Sequence, residues 1–212
     1  MTGATPPQAL PPQARDVLDF WFGDAPTAAD PSGVKAVAAR WFNGGDAFDR
    51  EIEDRFAGLP DRLAAGDAAI WVRAGPHGVV AALIGLDQFP RNLFRGAPRA
   101  FAFDPLALSL SKQAIDAGED RRLHPLERVF VYLPLEHSEN LDDQRRSVAL
   151  FDALRAEAGA PERDFVHEAW VYAVKHLEVI QRFGRFPHRN AVLGRESTPE
   201  EIEYLKQPGS GF

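Results

Sequence analysis

Cysteine is absent from the 212 residues, lysine is scarce, and long hydrophobic runs are missing. Without cysteine the chain has no disulfide, no thiolate metal ligand and no cysteine nucleophile. The longest apolar run, residues 79–86 (VVAALIGL), is far too short to span a bilayer. Residues 1–13 lack the basic start and the apolar core of a signal peptide. These absences predict a cytoplasmic protein that does not insert into a membrane.

Charge and length narrow the class of protein further. The chain carries 31 acidic and 24 basic residues, a net charge of −7, which disfavours non-specific binding to nucleic acids and anionic membranes. Its length fits one domain with a substantial core. The proline-rich residues 1–13 predict a flexible lead-in, and residues 14–212 predict a single domain.

Strand patterns are also scarce, because no stretch alternates apolar and polar residues for long. Apolar residues instead recur at helical spacing, most clearly in residues 140–158 and 162–183. We therefore predict an all-α fold, and the short connections predict stacked antiparallel helix pairs. Pro134 is expected to break the helix that starts at His124-Pro125, and Ser138 is a candidate cap for the next helix.

Two loops of similar sequence follow apolar helical runs. Residues 87–92 read DQFPRN and residues 183–190 read FGRFPHRN, so Phe-Pro precedes Arg-Asn in both. Arginine forks suit carboxylate or phosphate, and asparagine can orient a neutral part of a ligand. The alternative is a structural role in helix capping and salt bridges. The candidate ligand-binding residues are Arg91, Asn92, Arg95, Arg185, Arg189 and Asn190.

Asp87 is a further ligand-binding candidate, at the edge of an apolar helical stripe. Its carboxylate needs a partner there, for which Arg91 or an arginine of the second loop is the natural choice. His176 lies midway along the apolar stripe of residues 162–183. It is either a hydrogen-bonded core histidine or a pocket histidine with a burial-shifted pKa.

A third polar segment, LPLEHSE at residues 133–139, presents Glu136, His137 and Glu139. A Glu-His pair can perform acid–base work or bind a metal. The spacings H-x-x-x-H and E-x-x-H are absent, which disfavours a metal site. We take His137, His176 and His188 as acid–base candidates, with Glu136 as their orienting carboxylate, and Glu139 as ligand-binding.

Several separated stretches together resemble one known family. They are VLDFWFG (17–23), LDQFPRNLFRG (86–96), RAFAFD (99–104), LPLEHSE (133–139), FGRFPHRN (183–190), LGRESTPEE (193–201) and the terminal GSGF. They resemble the bacterial domain-of-unknown-function 924 family over nearly the whole chain. The resemblance implies an all-helical fold similar to tetratricopeptide-repeat proteins, arranged as a superhelix. It implies no particular activity and assigns no catalytic residue.

Two functions are consistent with these residues. One is a polar pocket for an anionic small molecule, binding or catalytic, at which residues 87–99, 133–139 and 183–195 meet. The other is a tetratricopeptide-like scaffold that binds a protein or peptide along a groove. Phosphate-loop, dinucleotide and nucleophile-elbow motifs are absent, so the sequence names no cofactor.

Overall fold

The computed structural model describes residues 9–27, 31–43 and 45–211, and all regular secondary structure in these ranges is helical. This confirms the all-α prediction. The α-helices are α1 (Pro12–Phe22), α2 (Pro31–Asn43), α3 (Gly45–Phe56), α4 (Leu59–Arg62), α5 (Ala68–Val72), α6 (Pro76–Leu83), α7 (Phe89–Leu93), α8 (Asp104–Asp116), α9 (Pro125–Glu136), α10 (Leu141–Glu157), α11 (Arg163–Phe183) and α12 (Pro199–Leu205). Of the expected lead-in at 1–13, residues 1–8 lie outside the described ranges, and α1 already begins at Pro12.

Several helix boundaries follow the capping rules. The Thr198 side chain accepts a hydrogen bond from the backbone N–H of Glu201, and the Glu201 side chain accepts one from the backbone N–H of Thr198. These two bonds confirm the predicted capping box. Gly184 ends α11 in the left-handed conformation, at φ 68°, as the sequence predicts. The cap of α10 is Asn140 rather than Ser138, since the Asn140 side chain accepts from the backbone N–H groups of Asp142 and Asp143.

The predicted break at Pro134 is wrong, because α9 continues through this proline to Glu136. An interior proline costs roughly 3 kcal/mol through a lost hydrogen bond and a ring clash. Here it lies in the last turn of a helix whose Phe130 and Leu135 are buried, so packing outweighs that cost. As a result, the end of a buried helix carries Glu136 and places His137 directly after it.

Aromatic packing joins the helices that support the polar residues. Trp21 of α1 stacks on Trp41 of α2 at 5.6 Å, and the Trp41 indole N–H donates to the Trp21 carbonyl at 2.8 Å. Phe130 of α9 meets both rings edge-on. Phe89 stacks on Phe56 of α3 at 4.8 Å, which anchors α7 in the core.

Consecutive helices pack against each other in the pairs α5–α6, α8–α9, α9–α10 and α10–α11. The helix α6 also contacts α1, α8 and α9, and α2 contacts α11. These last contacts go beyond the nearest-neighbour packing of a solenoid, so the tetratricopeptide-like superhelix stays a prediction. Within the described ranges, none of the helices has the length and apolar character needed to cross a membrane.

Candidate functional site

The residues of the three predicted loops meet at one end of α9, although residues 87–92 are helical rather than a loop. A π-helical turn at residues 84–88 joins α6 to α7 and carries Asp87, and Arg91 follows within α7. Such a turn adds one residue to the helical repeat and so re-aims the side chains around it. His137 follows the end of α9, and the 3₁₀ turn Pro187–Arg189 comes soon after α11. We call the side chains gathered here the polar cluster: Asp87, Arg91, Asp104, Glu136, His137, His176 and Arg189.

Asp87 and His137 form a buried hydrogen-bonded pair, with Oδ1 and Nδ1 2.7 Å apart. Only 1% of Asp87 is exposed. Burial raises the pKa of Asp87, but Arg91 and His137 outweigh it and hold that pKa well below its ordinary value. Burial and Arg91 together lower the pKa of His137 against the pull of Asp87. We infer a neutral imidazole that donates its Nδ1–H to the carboxylate, which leaves Nε2 as a base.

Two arginines share the carboxylate of Asp104, the first residue of α8. Arg91 holds both oxygens at 3.1 Å, and Arg189 Nη1 is 3.5 Å from Oδ2. The Arg189 guanidinium lies between the rings of Phe101 and Phe186, at 4.7 and 4.5 Å from their centres. Its side chain is 8% exposed, and it donates no hydrogen bond to any described residue. Burial and the nearby Arg91 lower the pKa of Arg189 to about 10, so it remains charged at neutral pH.

Glu136 and His176 form a second buried pair, with Oε1 of Glu136 3.1 Å from Nδ1 of His176. The same Nδ1–H donates to the carbonyl of Tyr172 at 2.8 Å. Burial and the charge of Asp87 raise the pKa of Glu136 well above its ordinary value, while burial lowers that of His176 to about 3. Burial therefore favours the neutral form of both groups. Oε2 of Glu136 is buried and has no hydrogen-bond partner in the described chain.

Asn92 and Arg95 point away from the polar cluster. Both bind Asp49 of α3, Asn92 at 2.8 Å and Arg95 through two nitrogens at 2.9 to 3.1 Å. The Arg95 side chain is 65% exposed. These contacts tie the first loop to α3.

Arg185 and Asn190 both bind Glu201 of α12. Arg185 Nε is 2.6 Å from Oε1 of Glu201, and Asn190 Nδ2 is 3.3 Å from its Oε2. Asn190 also donates to Ser197 at 3.0 Å. The second loop is thus tied to the last helix by its own predicted ligand-binding residues.

Glu139 and His188 lie beside the polar cluster. Glu139 binds Arg195 through both oxygens at 2.7 and 2.9 Å and accepts the N–H of Phe186 at 2.8 Å. The His188 ring packs on Phe186, and burial and Arg189 lower the pKa of His188 to about 4. Glu139 therefore holds in place the segment that presents His188 and Arg189.

Sequence reasoning missed Asp104 and Phe101. Asp104-Pro105 indicates only the start of a helix, and Phe101 is one aromatic residue among many. Among the residues that the structure describes, no group of three or more His, Asp or Glu side chains is arranged to hold a metal ion. Two cavities, of about 390 and 350 Å³, are lined by other residues, so a concave pocket at the polar cluster stays a prediction.

Comparisons with known proteins identify the family. No protein with a curated functional description matches the chain. The solved structure of the protein of unknown function ATU0120 from Agrobacterium tumefaciens is similar, with 37% sequence identity and a TM-score of 0.76. The similarity covers 91% of this chain and 96% of that one. Residues 17–209 match the family described as a bacterial protein of unknown function, DUF924, to which the chain therefore belongs.

Proposed function

We propose that the protein binds a small anionic molecule at Arg189 and Arg91 and acts on it by acid–base chemistry. One observation carries this proposal: the Arg189 guanidinium is buried and charged but donates no hydrogen bond to a described residue. Burying such a group without hydrogen bonds is costly unless a partner supplies them. A carboxylate or phosphate matches the planar guanidinium fork and would supply the missing acceptors.

The surroundings of Arg189 favour a ligand over a missing protein contact. The Phe101 and Phe186 rings both pack on the guanidinium, which restricts its position. Asp104 is already held by Arg91 through both of its oxygens, so one carboxylate serves two cations. An anion bound here would balance the second positive charge and would lie beside the pair of Asp87 and His137.

The acid–base part rests on two carboxyl groups with opposite pKa shifts. The pKa of Asp87 is lowered and that of Glu136 is raised, and such divergent environments mark acid and base assignments in enzyme sites. In this assignment His137 accepts a proton at Nε2 while Asp87 fixes its tautomer. Glu136 is the proton donor, and His176 orients it. The few buried donors suit a small molecule better than the extended groove of a peptide-binding scaffold.

The test is isothermal titration of the full chain with inorganic phosphate and with acetate. We expect at least one of these anions to bind the wild type and to bind Arg189→Gln at least about tenfold more weakly, because a charge-assisted hydrogen bond contributes roughly 1.5–3 kcal/mol. Arg95→Gln is the matched control, since Arg95 pairs with Asp49 outside the polar cluster. Arg189→Lys keeps the charge but loses the fork, and should bind with intermediate affinity.

Two results would overturn the proposal. One is that neither anion binds the wild type. The other is that Arg95→Gln weakens binding as much as Arg189→Gln does. Circular dichroism of each variant shows whether it is folded. If Arg189→Gln is unfolded, Arg189→Lys alone decides, and unchanged affinity in that variant would count against an arginine fork at the site.

A further inference from the structure

A second candidate site lies apart from the polar cluster. A cavity of about 390 Å³ opens between α8, the 3₁₀ turn Asp120–Arg122, α9 and α10. Its volume lies within the range of small-molecule pockets. None of its lining residues belongs to the polar cluster, and the proposed function above does not use it.

One wall of the cavity is a chain of hydrogen bonds between buried polar groups. The Tyr132 hydroxyl donates to Asp120 Oδ2 at 2.7 Å and accepts from Arg128 Nε at 3.1 Å. Arg128 also holds Glu157 at 2.5 Å. Burial and Asp120 raise the pKa of Tyr132, so its hydroxyl stays a donor. Because each group is held by the next, this wall has a fixed geometry.

Two neighbouring groups on the cavity have unused hydrogen-bonding capacity. Asp120 is 3% exposed, and its second oxygen, Oδ1, accepts no hydrogen bond from a described residue. Arg121, the next residue, is exposed, lines the same cavity and forms no ion pair within the described ranges. The two are adjacent in the chain but do not pair with each other. The cavity therefore offers an unused anionic acceptor and an unused cationic donor side by side.

The opposite wall is apolar and is formed by Ile115 of α8 with Leu150 and Ala153 of α10. We propose that this cavity binds a free amino acid with an aliphatic side chain. Its ammonium group would bind Asp120, its carboxylate would bind Arg121, and its side chain would cover the apolar wall. A zwitterion fits because it supplies a donor to Asp120 Oδ1 and an acceptor to Arg121 without adding net charge.

The probe is L-leucine, titrated calorimetrically into the full chain. Two analogues each lack one charge: isopentylamine has no carboxylate, and 4-methylpentanoate has no ammonium group. We expect each analogue to bind at least about tenfold more weakly than L-leucine, since each leaves one buried or charged partner unsatisfied. Arg121→Gln should weaken L-leucine to the same degree. Arg122→Gln, which removes the neighbouring arginine paired with Glu119, should not.

A further variant separates binding from folding. Ala153 is exposed at the cavity, so Ala153→Phe fills space there without removing a core contact or a charge. It should abolish L-leucine binding, while Arg189→Gln in the polar cluster should leave it unchanged. The proposal is overturned if L-leucine does not bind the wild type, if either analogue binds equally well, or if Arg189→Gln rather than Arg121→Gln abolishes binding.

Discussion

Replacing Glu136 by glutamine should make folding stability fall more steeply as the pH decreases. The folded-state pKa of Glu136 lies well above its ordinary value of 4.5, because the group is buried beside Asp87. The carboxyl therefore contributes stability that is complete below pH 4.5 and is lost as the pH rises through the folded-state pKa. Glutamine resembles the neutral acid in shape but cannot exchange this proton.

His176 contributes with the opposite sign. Its folded-state pKa is about 3 against an ordinary 6.5, so its contribution is present above pH 6.5 and is lost as the pH falls towards 3. Below pH 6.5, and between pH 4.5 and the raised folded-state pKa of Glu136, the folded state holds a proton on Glu136, whereas the unfolded chain holds one on His176. The pH-dependent contributions of Glu136 and His176 to stability therefore nearly cancel in the wild type. In Glu136→Gln only the contribution of His176 remains.

The size of the effect follows from proton linkage. Each pH unit over which Glu136 is protonated in the folded protein while His176 is protonated in the unfolded chain should cost the variant about 1.36 kcal/mol of stability relative to the wild type. His137 and His188 titrate in both proteins, so their terms cancel in the comparison. Urea unfolding followed by tryptophan fluorescence, at intervals across this pH range, measures the difference.

Parallel pH profiles for the wild type and Glu136→Gln would refute the reasoning, because they would mean that Glu136 is ionised in the folded protein. Glu139→Gln is the control. Arg195 lowers the pKa of Glu139 against its burial, so the linked loss of stability lies below pH 4.5. That variant should be less stable than the wild type by a nearly constant amount across the same range.

Two further predictions concern the scaffold. Gly78→Ala should lower the free energy of unfolding by about 1–3 kcal/mol, since the added Cβ would lie 1.9 Å from the Trp71 carbonyl oxygen. Chemical denaturation measures this loss, and Gly58→Ala is the control because its Cβ meets only the end of the Arg62 side chain, at 3.2 Å. Equal losses in the two variants would contradict the packing argument. Arg195→Ala should speed amide hydrogen exchange in residues 186–195 because Glu139 then loses its ion-pair partner and keeps only the Phe186 N–H; unchanged exchange would show that other contacts hold the segment.

Helices with long apolar periods and strong caps were predictable from local sequence. The period of residues 162–183 and the capping glycine at 184 locate α11 to within one residue. Pro134 was misjudged because helix propensity is local, whereas the packing of α9 in the core is not. The π turn at residues 84–88 also has no sequence signature, although it sets the direction of Asp87.

Some members of the polar cluster were predictable from the sequence, but their pairing was not. Asp87 was expected to need a partner, and Arg91 was one of the choices offered. Arg91 does lie 3.4 Å from the carboxylate, but the shorter contact is to His137, 50 residues away in the sequence. Partners at such separation are decided by how helices pack, which the pattern of a single segment does not contain. Asp104 was missed for the same reason.

The two similar loops turn out to place equivalent residues in equivalent ways. In each, the phenylalanine before the proline is completely buried, Phe89 in one and Phe186 in the other, so the next residues are fixed relative to the core. The arginine of each loop then reaches Asp104, with Arg91 in direct contact and Arg189 at 3.5 Å.

The asparagine that follows each arginine turns outward to a carboxylate on another helix, Asn92 to Asp49 and Asn190 to Glu201. That carboxylate is held in each case by a second arginine of the same loop. Each loop is therefore anchored by its phenylalanine on one side and its asparagine on the other. These contacts within the protein position the central arginine before any ligand binds. The loops differ in one respect: Arg91 donates hydrogen bonds to both oxygens of Asp104, whereas the buried Nε of Arg189 has no hydrogen-bond partner among the described residues. A preorganised arginine with unused donors reduces the entropic cost of binding, so the asymmetry between two otherwise similar loops is the strongest reason to look for the ligand at Arg189.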